Sequence, residues 1–447
     1  AEFTSKYAGF TCQEVTHDYK NAFAAVRKCA MDFDWDAVVA NMVYVWTGLT
    51  QALGLKYYGI PGIDVPADTG FQYREPIEEN AFMKSDEYDD LIKDPTAFLY
   101  NIWLPRVSDE ILSSGNSNSY RNNVALVKGG MAMLQYFNDF GPQVDLLRKE
   151  CGTVSAIAGI LKAPFDILGD KLRGYMGLTM DMISQPDKVL KACEALMPHL
   201  YEIALSSSDS NKQVPIGYWM HRGCIPFISE GQFESHYWPT MKPVLEELWK
   251  NGHQTLMYAE GDWKHHLDSF RELPEQSVVY HVDQGDIFNV HAKIGDKFCL
   301  SGGIPNTVLA FGTKEDVRDY CKKVIDGVAR DGGYIMDAGA IMQNDTSIEN
   351  LKTMTDFTRE YGVYSSSNGS KAIDNIQVVP DDYFSASHSS EFSRIINENK
   401  PIAKCIPWEM KLNEINEIKG DEGIVERIWQ DVDSFGHTFI WHCLLSF

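Results

Sequence analysis

The chain has 447 residues, 44% of them hydrophobic and 23% charged, with a formal net charge of −23. That acid excess excludes a free-standing nucleic-acid binder, which needs cations to displace the counterions of phosphates, and it disfavours an anionic membrane surface as a partner. The composition is that of a folded chain, long enough for two or three small domains or one large α/β barrel.

The start, Ala1-Glu2-Phe3-Thr4, has neither the basic nor the apolar region of a signal peptide. No apolar run of about 18 residues is present, so no membrane-spanning helix is expected. Residues 34–36 and 41–46 are read as a first strand and its helix, and 64–76 as a loop leading into a helical lid near 84–88. Polar loops follow at 113–118, 206–212 and 365–370. The nine cysteines are widely spaced and form no Cys-x-x-Cys pair, which reads as reduced thiols of a cytoplasmic protein.

Between 214 and 363, short apolar runs alternate with helical patterns. The runs 255–259, 277–283, 297–303 and 333–339 each end near glycine or an acid, as buried parallel strands do. Thr313 with Asp316 has the form of a capping box, ahead of Val317, Cys321, Val324 and Val328 on one helical face. Ser347 opens a second such helix, with Leu351, Met354 and Phe357 as its stripe and Gly362 beyond its end. The tail from 371 to 447 ends in an apolar stretch expected to pack on the rest.

Strand–helix units repeated in this way fit a doubly wound sheet or a (β/α)8 barrel. No Gly-x-Gly-x-x-Gly or Walker A pattern favours a nucleotide-binding sheet. The expected fold is therefore α/β: a single (β/α)8 TIM barrel over 1–447, with 1–150 as its N-terminal and lid portion and 371–447 as a C-terminal extension. A barrel puts its chemistry at the C-terminal ends of its strands. The polar residues there are His221, Glu260, His281, Asp283 and Asp337. His281 and Tyr280 are neighbours on one strand, so only one of them faces the interior. His265-His266 is expected to be a solvated helix start, and Gly302-Gly303 to let backbone approach a ligand.

The segments VLAFGTKEDVRDY (308–320), GGYIMDAG (332–339) and ENLKTMTDFTREYG (349–362) resemble the C-terminal half of the uroporphyrinogen decarboxylase superfamily. Ala163-Pro164-Phe165-Asp166, Arg173-Gly174 and Gln185-Pro186-Asp187-Lys188-Val189 are similar to its mid-chain stretch, and the resemblance spans roughly 12–365. It implies a single (β/α)8 barrel. The decarboxylase branch carries an Arg-Gln-Ala-Gly-Arg-Tyr clamp for a polyanionic tetrapyrrole. The nearest stretch here, 71–76, holds only Arg74, followed by Glu75.

The other branch is the corrinoid-dependent methyltransferases. Its thiol-methylating members bind zinc through His-x-Cys and a later Cys. Those positions fall here on Tyr258, Glu260 and Ala340. The resemblance thus implies a harder site, with Glu260, His221 and His281 as ligands of a zinc ion. It implies Glu260, Asp283 and His221 as catalytic groups, and Tyr258, Trp219 and Asp337 as substrate contacts. A metal or general acid there would assist loss of a phenolic oxygen as methyl passes to a Co(I) corrinoid. The expected reaction is O-demethylation of a small methylated aromatic, with the corrinoid on a partner protein, since no Asp-x-His-x-x-Gly motif occurs in the chain. A homodimer is the expected assembly. The alternatives are a lyase for a small carboxylic acid and a non-catalytic corrinoid-binding protein.

Overall fold

A computed structural model of the chain describes residues 2–39, 47–113, 120–340, 342, 344–364, 390–399 and 401–445. The expected helix at 41–46, the loop at 365–370 and most of the loop at 113–118 lie outside them.

The strands in chain order are β1 (Ala37–Val38), β2 (Tyr58–Gly59), β3 (Gln72–Tyr73), β4 (Val154–Ser155), β5 (Ile160–Lys162), β6 (Ile216–Met220), β7 (Thr255–Asp262), β8 (Val278–Gln284), β9 (Cys299–Gly302) and β10 (Tyr334–Ile335). β5 to β10 form one parallel sheet in which each strand lies beside the next in sequence. A doubly wound sheet reverses its strand order at a switch point. A wall in unbroken chain order is the arrangement of a barrel. β1 pairs in parallel with β4. Because β4 runs on into β5, the stretch 154–162 carries the wall across to β1. β2 and β3 form a separate antiparallel pair.

The pleat sorts the side chains. Residues paired across parallel strands point to the same face. One row holds Ile160, Gly217, Leu256, Val279 and Cys299. The next holds Lys162, Trp219, Tyr258, His281, Ser301 and Ile335. His221, Glu260 and Asp283 stand one step further toward the strand C-termini. Ile157, Leu256 and Val279, with Trp219, Tyr258 and Cys299 against them, form a small inner apolar cluster. The alternate residues Tyr218, Met220, Met257, Tyr280 and Leu300 belong to the main core on the other face. Tyr280 packs there against Phe270 at 5.7 Å between ring centres, so His281 is the inward member of that pair.

Helices cover the outer face. In Lys314–Gly327, the Thr313 side chain accepts from the Asp316 N–H and the Asp316 side chain accepts in return, which completes the capping box. Its Val317, Cys321 and Val324 are fully buried. Ser347 caps Ile348–Tyr361 in the same sense. The last helix, Glu422–Leu445, contributes Ile440, Trp441, Cys443 and Leu444 to the main core. There His437 Nε2 and His199 Nδ1 share a hydrogen bond of 2.9 Å, and Trp441 stacks on His199. Among the described residues no helix is long and apolar enough to cross a membrane.

The close approach of Gly302 is to this chain itself. At φ +79°, a Cβ there would meet the Val282 carbonyl at 2.4 Å and the His281 ring at 2.9 Å. His266 is also unlike its expectation. It is buried and stacks at 3.8 Å on Phe233, which opens the π-helical turn Phe233–Tyr237 ahead of the helix Trp238–Lys250. Only His265 is exposed, where it pairs with Glu230.

Gly174 is the glycine that matters most for the site. It has φ +73°, and a Cβ on it would lie 1.9 Å from the Pro76 carbonyl oxygen. The contact seats loop 71–76 over the ends of β5 and β6. Gly174→Ala should cost about 2–3 kcal/mol, from backbone strain and overlap with rigid backbone. Urea denaturation checks it; a loss under about 0.5 kcal/mol would contradict this account.

Candidate active site at the strand ends

β5 ends in Lys162, and the chain turns at once into a helical run. Pro164 sits in its first turn, where a missing N–H costs nothing. Asp166 and Asp170, four residues apart, share one face of this run. Both are buried, as is Lys162. Asp166 accepts from the backbone N–H groups of His221 and Arg222, both at 2.8 Å, and from the Tyr237 hydroxyl at 3.0 Å. It thereby fixes the turn that leaves β6. Burial raises the Asp166 carboxyl above its ordinary range, against the pull of the His221 charge.

Asp170 is the hub. It accepts from Lys162 Nζ at 2.8 Å, His221 Nδ1 at 3.0 Å and Arg222 Nε at 2.9 Å. Burial pushes this carboxyl up, but the Lys162 charge and the His221 hydrogen bond, helped by Arg222, outweigh it and hold it well below the ordinary range. Arg222 reaches on to Glu75 at 2.9 Å, and Glu75 accepts from the Tyr175 N–H at 2.7 Å. The Tyr73 hydroxyl donates to the Asp170 carbonyl. Loop 71–76 is thus tied down over the cluster, while Arg74 turns away to Asp64.

The tautomer of His221 follows from its neighbours. Nδ1 faces the Asp170 carboxylate and has the Lys162 ammonium 3.4 Å away. A hydrogen on Nδ1 satisfies the carboxylate, and the lone pair is left on Nε2. That Nε2 is buried without a hydrogen-bond partner, 3.5 Å from Glu260 Oε2. Two bare acceptors face one another, an arrangement that calls for a positive species between them.

The other expected site residues lie elsewhere. Asp283 uses one oxygen on the Gly261 N–H at 2.8 Å and the other on the Ala340 N–H at 2.9 Å. It braces the C-terminal end of β7 and the loop after β10. His281 lies a row below Glu260 and hydrogen-bonds Ser301 through Nδ1 at 3.0 Å. Burial drives its pKa down to about 4, so it is neutral at pH 7. It stacks on Tyr258 at 4.6 Å, and Tyr258 stacks on Trp219 at 5.1 Å. Asp337 lies 3.8 Å from His281 Nδ1, enclosed by protein although its side chain is open to a cavity; burial raises its carboxyl to about 6. Cys224, beside His221 in sequence, donates to the His221 and Glu260 carbonyls and is pushed up to about 11 by burial.

Zinc centres that do chemistry take three protein ligands. His221 and Glu260 supply two donors at a suitable separation. Among the described residues no three His, Cys, Asp or Glu side chains come together to hold a metal ion. The set does not fit a three-ligand zinc site.

Glu75, Lys162, Asp166, Asp170 and Arg222 are absent from the strand-end expectations. A signal for Lys162, Asp166 and Asp170 exists: two acids four apart and two lysines, inside the otherwise apolar run KAPFDILGDKL, must be buried and paired.

A family model described as uroporphyrinogen decarboxylase (URO-D) matches residues 129–361, more than half of the chain. The chain belongs to this family. The match takes in β4 to β10, the acid hub and the His221–Glu260 pair, and the family fold is a (β/α)8 barrel, in keeping with the parallel wall. No curated protein matches the sequence. Among solved structures it is similar to a methyltransferase from Methanosarcina mazei, at 12% identity and a TM-score of 0.47, over 76% of this chain and 85% of that one.

Proposed function

We propose that this URO-D family protein is a methyltransferase that removes the methyl group of a small O-methylated aromatic and delivers it to the corrinoid of a partner protein in the cytoplasm. The observation that carries the reading is the His221–Glu260 pair, 3.5 Å apart, with Asp170 fixing the His221 tautomer. By the resemblance, the thiolate positions of the thiol-methylating members fall on Glu260 and Ala340. The site is furnished for proton donation where theirs is furnished for thiol activation.

A phenolic ether is a poor methyl donor until its oxygen can leave as a neutral phenol. The proton held between His221 Nε2 and Glu260 goes to that oxygen. A reduced corrinoid on the partner would supply the electron pair taken up by the methyl carbon as the carbon–oxygen bond breaks, and the electron pair of that bond would stay on oxygen with the new O–H. Asp170 stabilises the positive charge on His221 while Nε2 holds the proton. The row beneath, Trp219 and Tyr258, gives the aromatic ring a flat surface. Lys162 and Arg222 are both engaged by carboxylates, which disfavours a decarboxylase reading, since an acid substrate needs a cation to receive it.

Glu260→Gln keeps the shape and removes the acid. It should lower the rate of methyl transfer from an anisole about 100-fold. With 4-nitroanisole, whose phenol leaves without help, the loss should be under about tenfold. Corrinoid methylation followed by absorbance measures both. Equal losses with the two ethers would remove the general-acid role, and no transfer from any ether by the unsubstituted protein would remove the function. Metal analysis of the purified protein addresses the zinc expectation directly.

A further inference from the structure

We infer that the turns after β6 and β7 are locked together by a reciprocal pair of side chains, Trp263 and Cys224, and that this lock sets the separation of His221 and Glu260. Both side chains are buried. Each is a positioning residue, acting through the backbone it holds.

Each turn carries a glycine where the other inserts. A Cβ on Gly223 would lie 2.7 Å from the Trp263 ring and 2.6 Å from the Tyr237 ring. A Cβ on Gly261, at φ +99°, would lie 2.7 Å from Cys224 Sγ. Glycine at both positions lets the two turns close this far. The hydrogen bonds converge on one atom. The Glu260 carbonyl accepts from Trp263 Nε1 at 2.8 Å and from Cys224 Sγ at 3.8 Å, and Cys224 also donates to the His221 carbonyl at 3.6 Å. Thiol donors are weak, so the indole bond and the ring packing carry most of the constraint. Trp263 lies 5.7 Å from Tyr237 between ring centres, and Tyr237 donates to Asp166, which holds the His221 and Arg222 N–H groups. Trp263 thus grips Glu260 on one strand end and, through Gly223 and Tyr237, the turn that carries His221 on the other. A displacement of about 1 Å at a reacting group costs about 100-fold in rate, so a lock on these two backbones governs proton donation. That consequence for rate rests on the methyl-transfer reading; the geometry of the lock does not.

NMR of the full chain with nitrogen-15-labelled histidine reads the geometry without any activity. Replacing Glu260 with Gln should move the His221 Nε2 resonance of the parent protein, and the same replacement in a Trp263→Phe background should move it less than about half as far. In the methylation assay, Trp263→Phe should slow transfer from an anisole at least about tenfold, with a KM within about twofold of the parent, and slow transfer from 4-nitroanisole less than about threefold. Cys224→Ala, the gentler change, should move both readouts the same way by a smaller amount, and it decides the outcome if Trp263→Phe does not fold. No movement of the resonance in the parent, a movement of full size in the variants, or equal losses with the two ethers would each overturn the lock. Absence of transfer from every ether by the parent would instead remove the proposed function, and the resonance alone would then decide.

Discussion

Replacing Asp170 with alanine is expected to destabilise the protein by about 3–5 kcal/mol and to abolish methyl transfer. Asp170 is buried and accepts from Lys162, His221 and Arg222 at once. Without it, Lys162 keeps an ammonium in the interior with its carboxylate partner gone, and an uncompensated buried charge is far more costly than the pair is worth. His221 then loses the group that keeps its hydrogen on Nδ1, and its Nε2 no longer meets Glu260 in a defined protonation state. Asp170→Asn separates the two effects. It retains volume and one acceptor, so it should fold with a smaller loss while still failing as a tautomer anchor. Urea unfolding of both variants, beside the corrinoid methylation assay, checks the pair of claims. A stable, active Asp170→Ala protein would refute the hub.

Acidification from pH 7 to pH 4 should destabilise the protein steeply. Burial drives the pKa of His281 and His442 to about 4, and burial with the His442 charge does the same to His437. In the unfolded chain each titrates near 6.5. Above that value both states are neutral and pH has no effect. Between 6.5 and 4 the unfolded state takes up protons that the folded state refuses, so each histidine removes about 1.4 kcal/mol per pH unit. Asp337 opposes them. Its carboxyl, raised to about 6, binds a proton more tightly when folded, so its contribution improves as pH falls from 6 to about 4. His266 and His199 are lowered by burial as well, so the histidines outweigh this one half-exposed carboxyl and the net effect is a fall in stability as pH drops over that range. Urea midpoints at pH 7, 6 and 5 measure it. A flat profile would mean that these histidines reach solvent in the folded state. His437 and His442 are in the C-terminal helix, so its detachment should be an early event, visible as increased hydrogen exchange over 422–445.

Much of the wall was legible from local pattern. The apolar runs at 255–259 and 277–283 became β7 and β8, and the Thr313 and Ser347 caps start their helices where the spacing puts them. Such features depend on neighbours within a few residues, which is the range over which capping and periodicity act. The candidate site was less legible. Glu260 and His221 stand on adjacent strands, and their strand-end positions hinted at a meeting. Asp283 occupies an equivalent position, yet both its oxygens are taken by backbone N–H groups, one at the end of β7 and one in the loop after β10. No local pattern distinguishes these fates.

By itself the sequence determined the α/β class and the parallel order implied by strand–helix repeats. These are set by composition, periodicity and single residue identities. Only the tertiary structure decided that His281 rather than Tyr280 faces inward, that Asp170 joins Lys162, His221 and Arg222, and that Glu260 meets a bare imidazole nitrogen. Each of those depends on register between strands and on loops far apart in the chain. Hydrogen-bond partners over such separations are chosen by packing geometry, which local propensity does not encode.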